Sequence, residues 1–214
     1  MGCGQRIRDV NQTALAARSW EVVRRMTGGR AVLHTDEMTY SLALPAGHFL
    51  AKGGIVESYR RISRALLAGL DILGIRAQAE SGVQGDSASP VCFDAASQYE
   101  IAVGGRKLIG SAQRRRDGAV CQHGSLPLWG DLSRIREVMA VEGDGAPVQR
   151  GITLMEAAGG RAVTWEEAAQ AVIVGFRAAY ALELKYETLS EAEAVESVRL
   201  RDEKYGHPAW ANKR

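Results

Sequence analysis

The sequence predicts an α/β domain, a sheet flanked by helices, that ends in a smaller helical segment. Short β-rich runs separated by glycine turns occur between residues 21 and 44 and again between residues 99 and 128. An amphipathic helix pattern lies between these regions, and two helix-start signals follow them. With 214 residues, of which 46% are hydrophobic, the chain is long enough to bury the core of one domain.

The first β-rich region predicts consecutive strands joined by tight turns, at residues 22–23, 30–33 and 38–44. A helix is predicted over residues 57–73, because Ile62, Leu66 and Leu70 recur at four-residue steps and form one apolar face. Gly74 stands where this helix would end, since glycine readily adopts the left-handed backbone of a helix C-terminus.

The second β-rich region predicts a hairpin. Strand patterns at residues 99–103 and 108–112 flank Gly104 and Gly105, and glycine tolerates the positive φ that two-residue turns require. A further strand is predicted over residues 119–128.

The C-terminal third predicts two helices from their capping boxes. Each box combines a hydroxyl residue with a glutamate three residues later, namely Thr164 with Glu167 and Ser190 with Glu193. The helices are expected to begin at Trp165 and Glu191. The second is expected to run to about Tyr205, where Gly206 and Pro208 end it.

Charge and hydropathy argue against two classes of partner. The formal net charge of +2 is too small to indicate a nucleic-acid-binding protein. The longest apolar stretches, such as residues 168–174, are far shorter than the roughly 20 residues of a membrane-spanning helix. Residues 1–11 are polar and do not resemble a secretory signal, so we expect a cytoplasmic protein without a membrane partner.

Three cysteines, Cys3, Cys92 and Cys121, indicate neither a disulfide framework nor a metal site, because their number is odd and they lack CxxC spacing. Unpaired cysteines are often small buried hydrophobic residues. Cys92 follows residues 81–90, which are rich in Ser, Gly and Asp and predict a loop.

Gly28 and Gly29 form a glycine turn through which backbone N–H groups can approach an acyl carbonyl or a phosphate closely. The spacing fits neither the Rossmann nor the P-loop pattern, and a plain turn is the alternative.

Three blocks in order resemble one family: the turn within residues 24–34, Cys92-Phe93-Asp94, and residues 105–113 continuing to 122–126. They are similar to the octanoyl and lipoyl transferases and lipoate–protein ligases of the biotin/lipoate ligase-like superfamily. Ligases usually carry three glycines in the first block, whereas Gly28-Gly29-Arg30 resembles the cysteine-dependent octanoyltransferases. The resemblance implies a mixed, largely antiparallel sheet of the class II aminoacyl-tRNA synthetase and biotin ligase type.

The resemblance also implies a site. Cys92 would be the acyl nucleophile and Lys107 would contact the acyl carbonyl; without the family, a buried thiol and a solvated hairpin lysine are the alternatives. His34 and His123 are interpreted as hydrogen-bonding residues rather than bases, because no carboxylate at a telling spacing orients them. An apolar tunnel would be lined partly by Ala31, Val32 and Leu33. The implied substrate-binding residues are Arg25, Thr27, Gly28, Gly29, Arg30, Ala31, Val32, His34, Gly110, Ser111, Ala112, His123 and Gly124.

The function implied by the resemblance is transfer of octanoyl from octanoyl-acyl carrier protein to a lysine of a lipoyl-accepting domain, such as glycine cleavage H protein, without a cofactor. An acyl-Cys92 thioester would be the intermediate. Alternatives are an ATP- and Mg²⁺-dependent lipoate–protein ligase, a lipoyl amidotransferase, and an inactive remnant that only binds acyl carriers. Residues 1–150 would form the catalytic core, without the family's first strand and helix, and residues 151–214 a helical C-terminal part of the same domain.

Overall fold

A computed structural model describes residues 1–79, 100–139 and 151–212. Within these ranges lies a five-stranded sheet in the order β1-β5-β4-β3-β2, whose neighbouring strands all pair antiparallel. The strands are β1 Glu37–Pro45, β2 Gln78–Ala79, β3 Ile101–Val103, β4 Arg106–Arg116 and β5 Ala119–Pro127. An isolated parallel bridge joins Lys107 to Gly151. The predicted fold class is therefore confirmed.

Helices are distributed over the whole chain. They are α1 Gln12–Ala17, α2 Ile55–Ile72, α3 Leu154–Ala157, α4 Trp165–Tyr180, α5 Glu191–Leu200 and α6 Pro208–Ala211. Short 3-10 helices cover Ile7–Asp9 and Leu132–Glu137, and a π-helical turn covers Arg201–Tyr205. None of the helices in the described ranges combines the length and the apolar character that a membrane crossing requires.

The main core lies between the sheet and the pair α2 and α4. Ile62 and Leu66 of α2, Leu108 of β4 and Phe176 of α4 belong to one buried cluster. The two helices approach closely at Gly175, where an added Cβ would lie 2.4 Å from the main-chain oxygen of Ala65. A glycine is therefore required at this crossing, and α4 is fixed against α2 by backbone contact.

Short-range sequence patterns predicted most of these elements correctly. The predicted helix over residues 57–73 is α2, and Gly74 ends it with φ of +78°. The predicted hairpin is β3 and β4, with φ of +56° at Gly104 and +74° at Gly105, the two positive values of a type I′ turn. Both capping boxes are formed, so α4 and α5 begin at Trp165 and Glu191 as predicted.

Two expectations need correction. Residues 22–23 and 30–33 are not strands. Carbonyl oxygens in both ranges accept bonds from outside any sheet: the Met1 amine donates to the oxygen of Val23 at 2.7 Å, and the Arg25 side chain donates to the oxygen of Arg30 at 2.9 Å. Pro208 was expected to end a helix, but it also begins one: it occupies the first turn of α6, where the N–H that proline lacks would have no helical acceptor. The predicted loop over residues 81–90 lies outside the described residues.

A second, smaller hydrophobic core packs the N-terminal segment against the region around the second 3-10 helix. Val10, Leu15 and Ala31 pack there with Ile135 and Met139 of the region around the second 3-10 helix. An isolated antiparallel bridge between Val10 and Met139 joins the same two regions.

Arg24 ties three separate parts of the chain together. Its side chain is 1% exposed, and each acceptor that it contacts is a main-chain carbonyl. The shortest bonds reach Gln5 at 2.7 Å, Ala211 at 3.0 Å and Gly2 at 3.1 Å. In return, the indole N–H of Trp210 donates to the oxygen of Arg24 at 2.8 Å. The planar guanidinium can satisfy several carbonyls at once because its donors point in fixed, divergent directions.

We predict that Arg24→Met lowers the free energy of unfolding by about 3 kcal/mol or more, because each buried carbonyl left without a donor costs about 1–3 kcal/mol. Arg24→Lys should also destabilise, since one ammonium cannot span the same acceptors. Urea denaturation measures both effects. Arg116→Met is the matched control, because that side chain is 60% exposed and, among the residues that the structure describes, its ion pair is with the neighbouring Asp117. Equal stability of Arg24→Met and the control would contradict the prediction.

Candidate active site

A cavity of about 170 Å³ lies between residues 25–34 and the strands β4 and β5. Most of the residues that sequence similarity implicated line it, namely Arg25, Gly29, Arg30, Val32, His34, Lys107, Gly110, Ser111, Ala112, His123 and Gly124. Glu100 and Ser125 also line the cavity and were not predicted. Thr27, Gly28 and Ala31 are not among the lining residues, and Cys92 lies outside the described residues.

The loop over residues 25–34 is folded around the side chain of Arg25. Its guanidinium donates to the hydroxyl of Thr27 at 2.9 Å and to the carbonyls of Gly28 and Arg30, each at 2.9 Å. Gly29 has φ of +89°, and a Cβ there would lie 2.9 Å from an Arg25 nitrogen. The loop therefore takes its shape from one cation and from the freedom of one glycine.

Val32 faces the cavity, whereas its neighbours face the other way. Ala31 is 6% exposed and belongs to the second core, and Leu33 packs against the same cluster. Successive side chains of an extended segment point to opposite sides, so only one of these three can line the pocket. The predicted tunnel wall of Ala31, Val32 and Leu33 is thus reduced to Val32.

Lys107 forms a buried ion pair with Glu100 at the cavity wall. The two side chains are 3% and 5% exposed. Ile101 pairs with Ile109 and Ala102 pairs with Lys107, so Leu108 is an extra residue in β4. A bulge of this kind turns a side chain away from the regular alternation and is common beside active sites. A carboxylate in the otherwise apolar run Glu100 to Val103 was the sequence signal that could have identified this partner.

His123 lies in the cavity as a neutral imidazole. Its Nε2 is 2.7 Å from the hydroxyl of Thr27. Burial, with smaller contributions from Arg25 and His34, lowers the pKa of His123 from 6.5 to about 4. Thr27 therefore acts on the site indirectly, by holding this ring.

His34 has a carboxylate partner, contrary to the expectation from sequence. Its Nδ1 is 3.0 Å from Glu37 Oε1. A tight turn, in which the amide of Glu37 bonds to the oxygen of Thr35 at 2.6 Å, brings the two side chains together. A turn was predicted between the strands at residues 30–33 and 38–44, but the side chains at the two ends of that turn were not predicted to pair.

The cavity floor depends on close contact between strands. Gly124 in β5 stands opposite Ser111 in β4. An added Cβ at Gly124 would lie 2.5 Å from the Tyr40 ring, 2.6 Å from the oxygen of Gly110 and 2.8 Å from the Ser111 hydroxyl. Tyr40 itself donates or accepts a 2.7 Å bond with that hydroxyl and accepts a 3.1 Å bond from Gln122. The absence of a side chain at Gly124 lets this buried polar contact form.

Within the described residues, no group of three or more His, Cys, Asp or Glu side chains is arranged to hold a metal ion. Two acid–base pairs stand at the site instead, Lys107 with Glu100 and His34 with Glu37. The pair of Lys107 and Glu100 is buried, whereas His34 of the other pair is half exposed.

We predict that Gly124→Ala lowers the free energy of unfolding by about 1–3 kcal/mol, the usual cost of overpacking a core. The main-chain oxygen of Gly110 cannot move aside without disturbing the pairing of β4 and β5. Gly47→Ala is the control, because nothing lies within 4 Å of the added Cβ there. Thermal unfolding of the two variants side by side measures the difference, and equal loss in both would contradict this account of the floor.

The lowered pKa of His123 predicts a pH dependence of stability. Between about pH 6.5 and pH 4 the unfolded chain binds a proton that the folded ring does not take, so unfolding becomes easier as the pH falls. His123→Gln removes this contribution. The stability advantage of the unaltered chain over the variant should therefore shrink as the pH is lowered through that window. Urea denaturation at several pH values measures it, and a constant difference would refute the prediction.

Comparisons with known proteins identify the family to which this arrangement belongs. The family model of the lipoyl protein ligase A/B catalytic domain matches residues 1–177. The octanoyltransferase LipM of Symbiobacterium thermophilum is 41% identical over 216 residues, covering 94% of this chain and 77% of that protein. The LipM of Bacillus anthracis is 34% identical, covering 100% of this chain and 82% of its own.

Solved structures show the same fold. A putative lipoate protein ligase from T. acidophilum with bound lipoic acid superposes with a TM-score of 0.80 at 24% identity, covering 99% of this chain and 80% of that one. A lipoate-protein ligase A bound with ATP gives a TM-score of 0.81 at 24% identity, with the same coverage of 99% and 80%. At this identity the likeness concerns the fold alone. Together with the family match, the relatives confirm the predicted superfamily and the predicted enzyme class, an acyltransferase: the chain belongs to the lipoyl protein ligase A/B catalytic domain family.

Proposed function

We propose that this protein transfers an octanoyl group to a lysine of a lipoyl-accepting domain, through a thioester on Cys92. The observation that carries the proposal is the buried pair of Lys107 and Glu100 at the wall of a cavity that the family's motif residues surround. Curated relatives of 41% and 34% identity named octanoyltransferase support the acyl group. Octanoyl-acyl carrier protein is the proposed donor, and glycine cleavage H protein is the proposed acceptor.

The first half-reaction exchanges one thioester for another. The Cys92 thiolate attacks the carbonyl carbon of the octanoyl thioester, the new C–S bond forms, and the pantetheine thiolate leaves. The ammonium of Lys107 is suited to stabilise the negative charge that develops on the carbonyl oxygen. Because both compounds are thioesters of similar energy, the exchange needs no ATP.

Glu100 keeps Lys107 in the form that this step requires. A buried ammonium without a counter-ion is strongly disfavoured, and a carboxylate within hydrogen-bonding distance stabilises its charged state. The pair also fixes the direction of the Lys107 side chain, since both residues are almost completely buried. Fixed charges need no reorganisation when the acyl group arrives.

The second half-reaction forms an amide. A lysine amine of the acceptor attacks the acyl-Cys92 carbonyl, the C–N bond forms, and the Cys92 sulfur leaves. An amide is more stable than a thioester, so this step drives the whole transfer. Two half-reactions with a shared covalent intermediate give ping-pong kinetics.

Intact-mass spectrometry tests the proposal directly. The unaltered chain and Cys92→Ala are incubated with octanoyl-acyl carrier protein in the absence of ATP. The expected result is an octanoyl adduct on the unaltered chain alone, which disappears when a lipoyl-accepting domain is added. Cys121→Ala is the matched control, because it removes a different thiol and should leave the adduct in place.

Two results would overturn the proposal. Transfer that requires octanoate or lipoate with ATP and Mg²⁺, and that survives Cys92→Ala, would identify a ligase. An adduct that forms equally on Cys92→Ala would place the nucleophile elsewhere.

A further inference from the structure

The second half-reaction requires a base that the first does not. A lysine side chain has a pKa near 10.4 and is protonated at neutral pH. Only the neutral amine has the lone pair that attacks the acyl carbonyl. A group at the cavity that accepts the ammonium proton would therefore accelerate the transfer.

Two titratable residues of the cavity are poorly suited to accept it. Lys107 is already held as an ammonium by Glu100 inside the protein. His123 has its Nε2 occupied by the Thr27 hydroxyl at 2.7 Å, and burial lowers its pKa to about 4. Neither the His123 ring nor the Lys107 amine is therefore positioned to take a proton from an incoming substrate.

His34 has the features that the other two lack. It lines the cavity, and its side chain is 56% exposed, so a large partner can reach it. Its Nδ1 faces Glu37 Oε1 at 3.0 Å, and within the described residues Nε2 makes no hydrogen bond. A carboxylate at Nδ1 favours the tautomer with hydrogen there, which leaves the lone pair on Nε2.

Glu37 is fixed and ionised for this purpose. Its side chain is 10% exposed and accepts 2.6 Å bonds from the hydroxyls of Ser125 and Thr39. Burial acts to raise the pKa of Glu37, but the hydrogen bonds from His34, Ser125 and Thr39 outweigh it and leave the pKa below its ordinary value. The carboxylate is therefore anchored to β1 and β5 while it holds the His34 ring.

We propose that His34 is the general base for the incoming lysine and that Glu37 is its positioning residue, an inference that rests on the acyl-transfer function proposed above. Nε2 of His34 takes one proton from the lysine ammonium. The neutral amine attacks the acyl-Cys92 carbonyl, the C–N bond forms and the C–S bond breaks. The second amine proton passes to the departing Cys92 sulfur, and the imidazolium of His34 returns its proton to water.

The test distinguishes loss of a general base from other damage to the site. It compares a nucleophile that must lose a proton before it attacks with one that need not. His34→Gln and Glu37→Gln are first loaded from octanoyl-acyl carrier protein and then discharged in single-turnover experiments. One arm uses a lipoyl-accepting domain, whose lysine must lose a proton. The other uses hydroxylamine, which is already neutral at pH 7. His207→Gln is the control, because His207 is the N-cap residue that precedes α6 and is not among the residues that line the cavity.

The expected result is a discharge to the lysine acceptor about 100-fold slower in His34→Gln, the lower end of general-base contributions. Discharge to hydroxylamine and loading should match those of the unaltered chain. Glu37→Gln keeps one oxygen, which can accept from Thr39, and its new amide NH2 can donate to the Ser125 hydroxyl, but the charge is lost. This variant should show the same selectivity with a smaller loss. His207→Gln should change neither arm.

Two outcomes would overturn the inference while the proposed function stands: an unchanged rate with the lysine acceptor, or equal losses with both nucleophiles, which would make His34 structural. If the unaltered chain takes up no octanoyl group at all, the proposed function fails, and the assignment of His34 falls with it.

Discussion

A single buried guanidinium, that of Arg24, connects the first residues of the chain, the segment that forms the site, and the C-terminal helix α6. Its acceptors are neutral carbonyls, which stabilise a buried cation only when several of them converge. That convergence requires the three segments to hold their relative positions. The loop of residues 25–34 begins at the next residue, so the anchor of the fold is also the anchor of the cavity wall.

Beyond this anchor, the loop is stabilised by side chains rather than by strand pairing. Arg25 supplies donors to the carbonyls of Gly28 and Arg30 that a neighbouring strand would otherwise supply. This leaves backbone and side chains of the loop free to form a concave surface against β4 and β5.

The proposed chemistry of the site is divided between two acid–base pairs with opposite surroundings. Lys107 and Glu100 are both buried, and their ion pair fixes the position of the Lys107 side chain. His34 is half exposed above the buried Glu37, so its ring stays oriented while its outer nitrogen remains accessible. The burial of one pair and the partial exposure of the other thus suit the two pairs to the different roles proposed for them.

Features that depend on neighbours along the chain were predictable from the order of the amino acids alone. Gly104 and Gly105 specified the hairpin, the capping boxes at Thr164 and Ser190 specified α4 and α5, and the four-residue repeat of Ile62, Leu66 and Leu70 specified α2, because each signal acts within a few residues. The ordered motifs also indicated the family, and with it Arg25, Val32, Lys107 and Gly124 at the cavity.

Which groups come into contact across the fold was not predictable in this way. Residues 22–23 and 30–33 have strand-like composition, but the carbonyl of Val23 accepts from the Met1 amine and that of Arg30 accepts from the Arg25 side chain. No local pattern records that competition. The pairing of Lys107 with Glu100 depends on the bulge at Leu108, and the contact of Gly124 with Tyr40 depends on the register of two strands. These are long-range geometric relations, and a single sequence encodes them only through the folded chain.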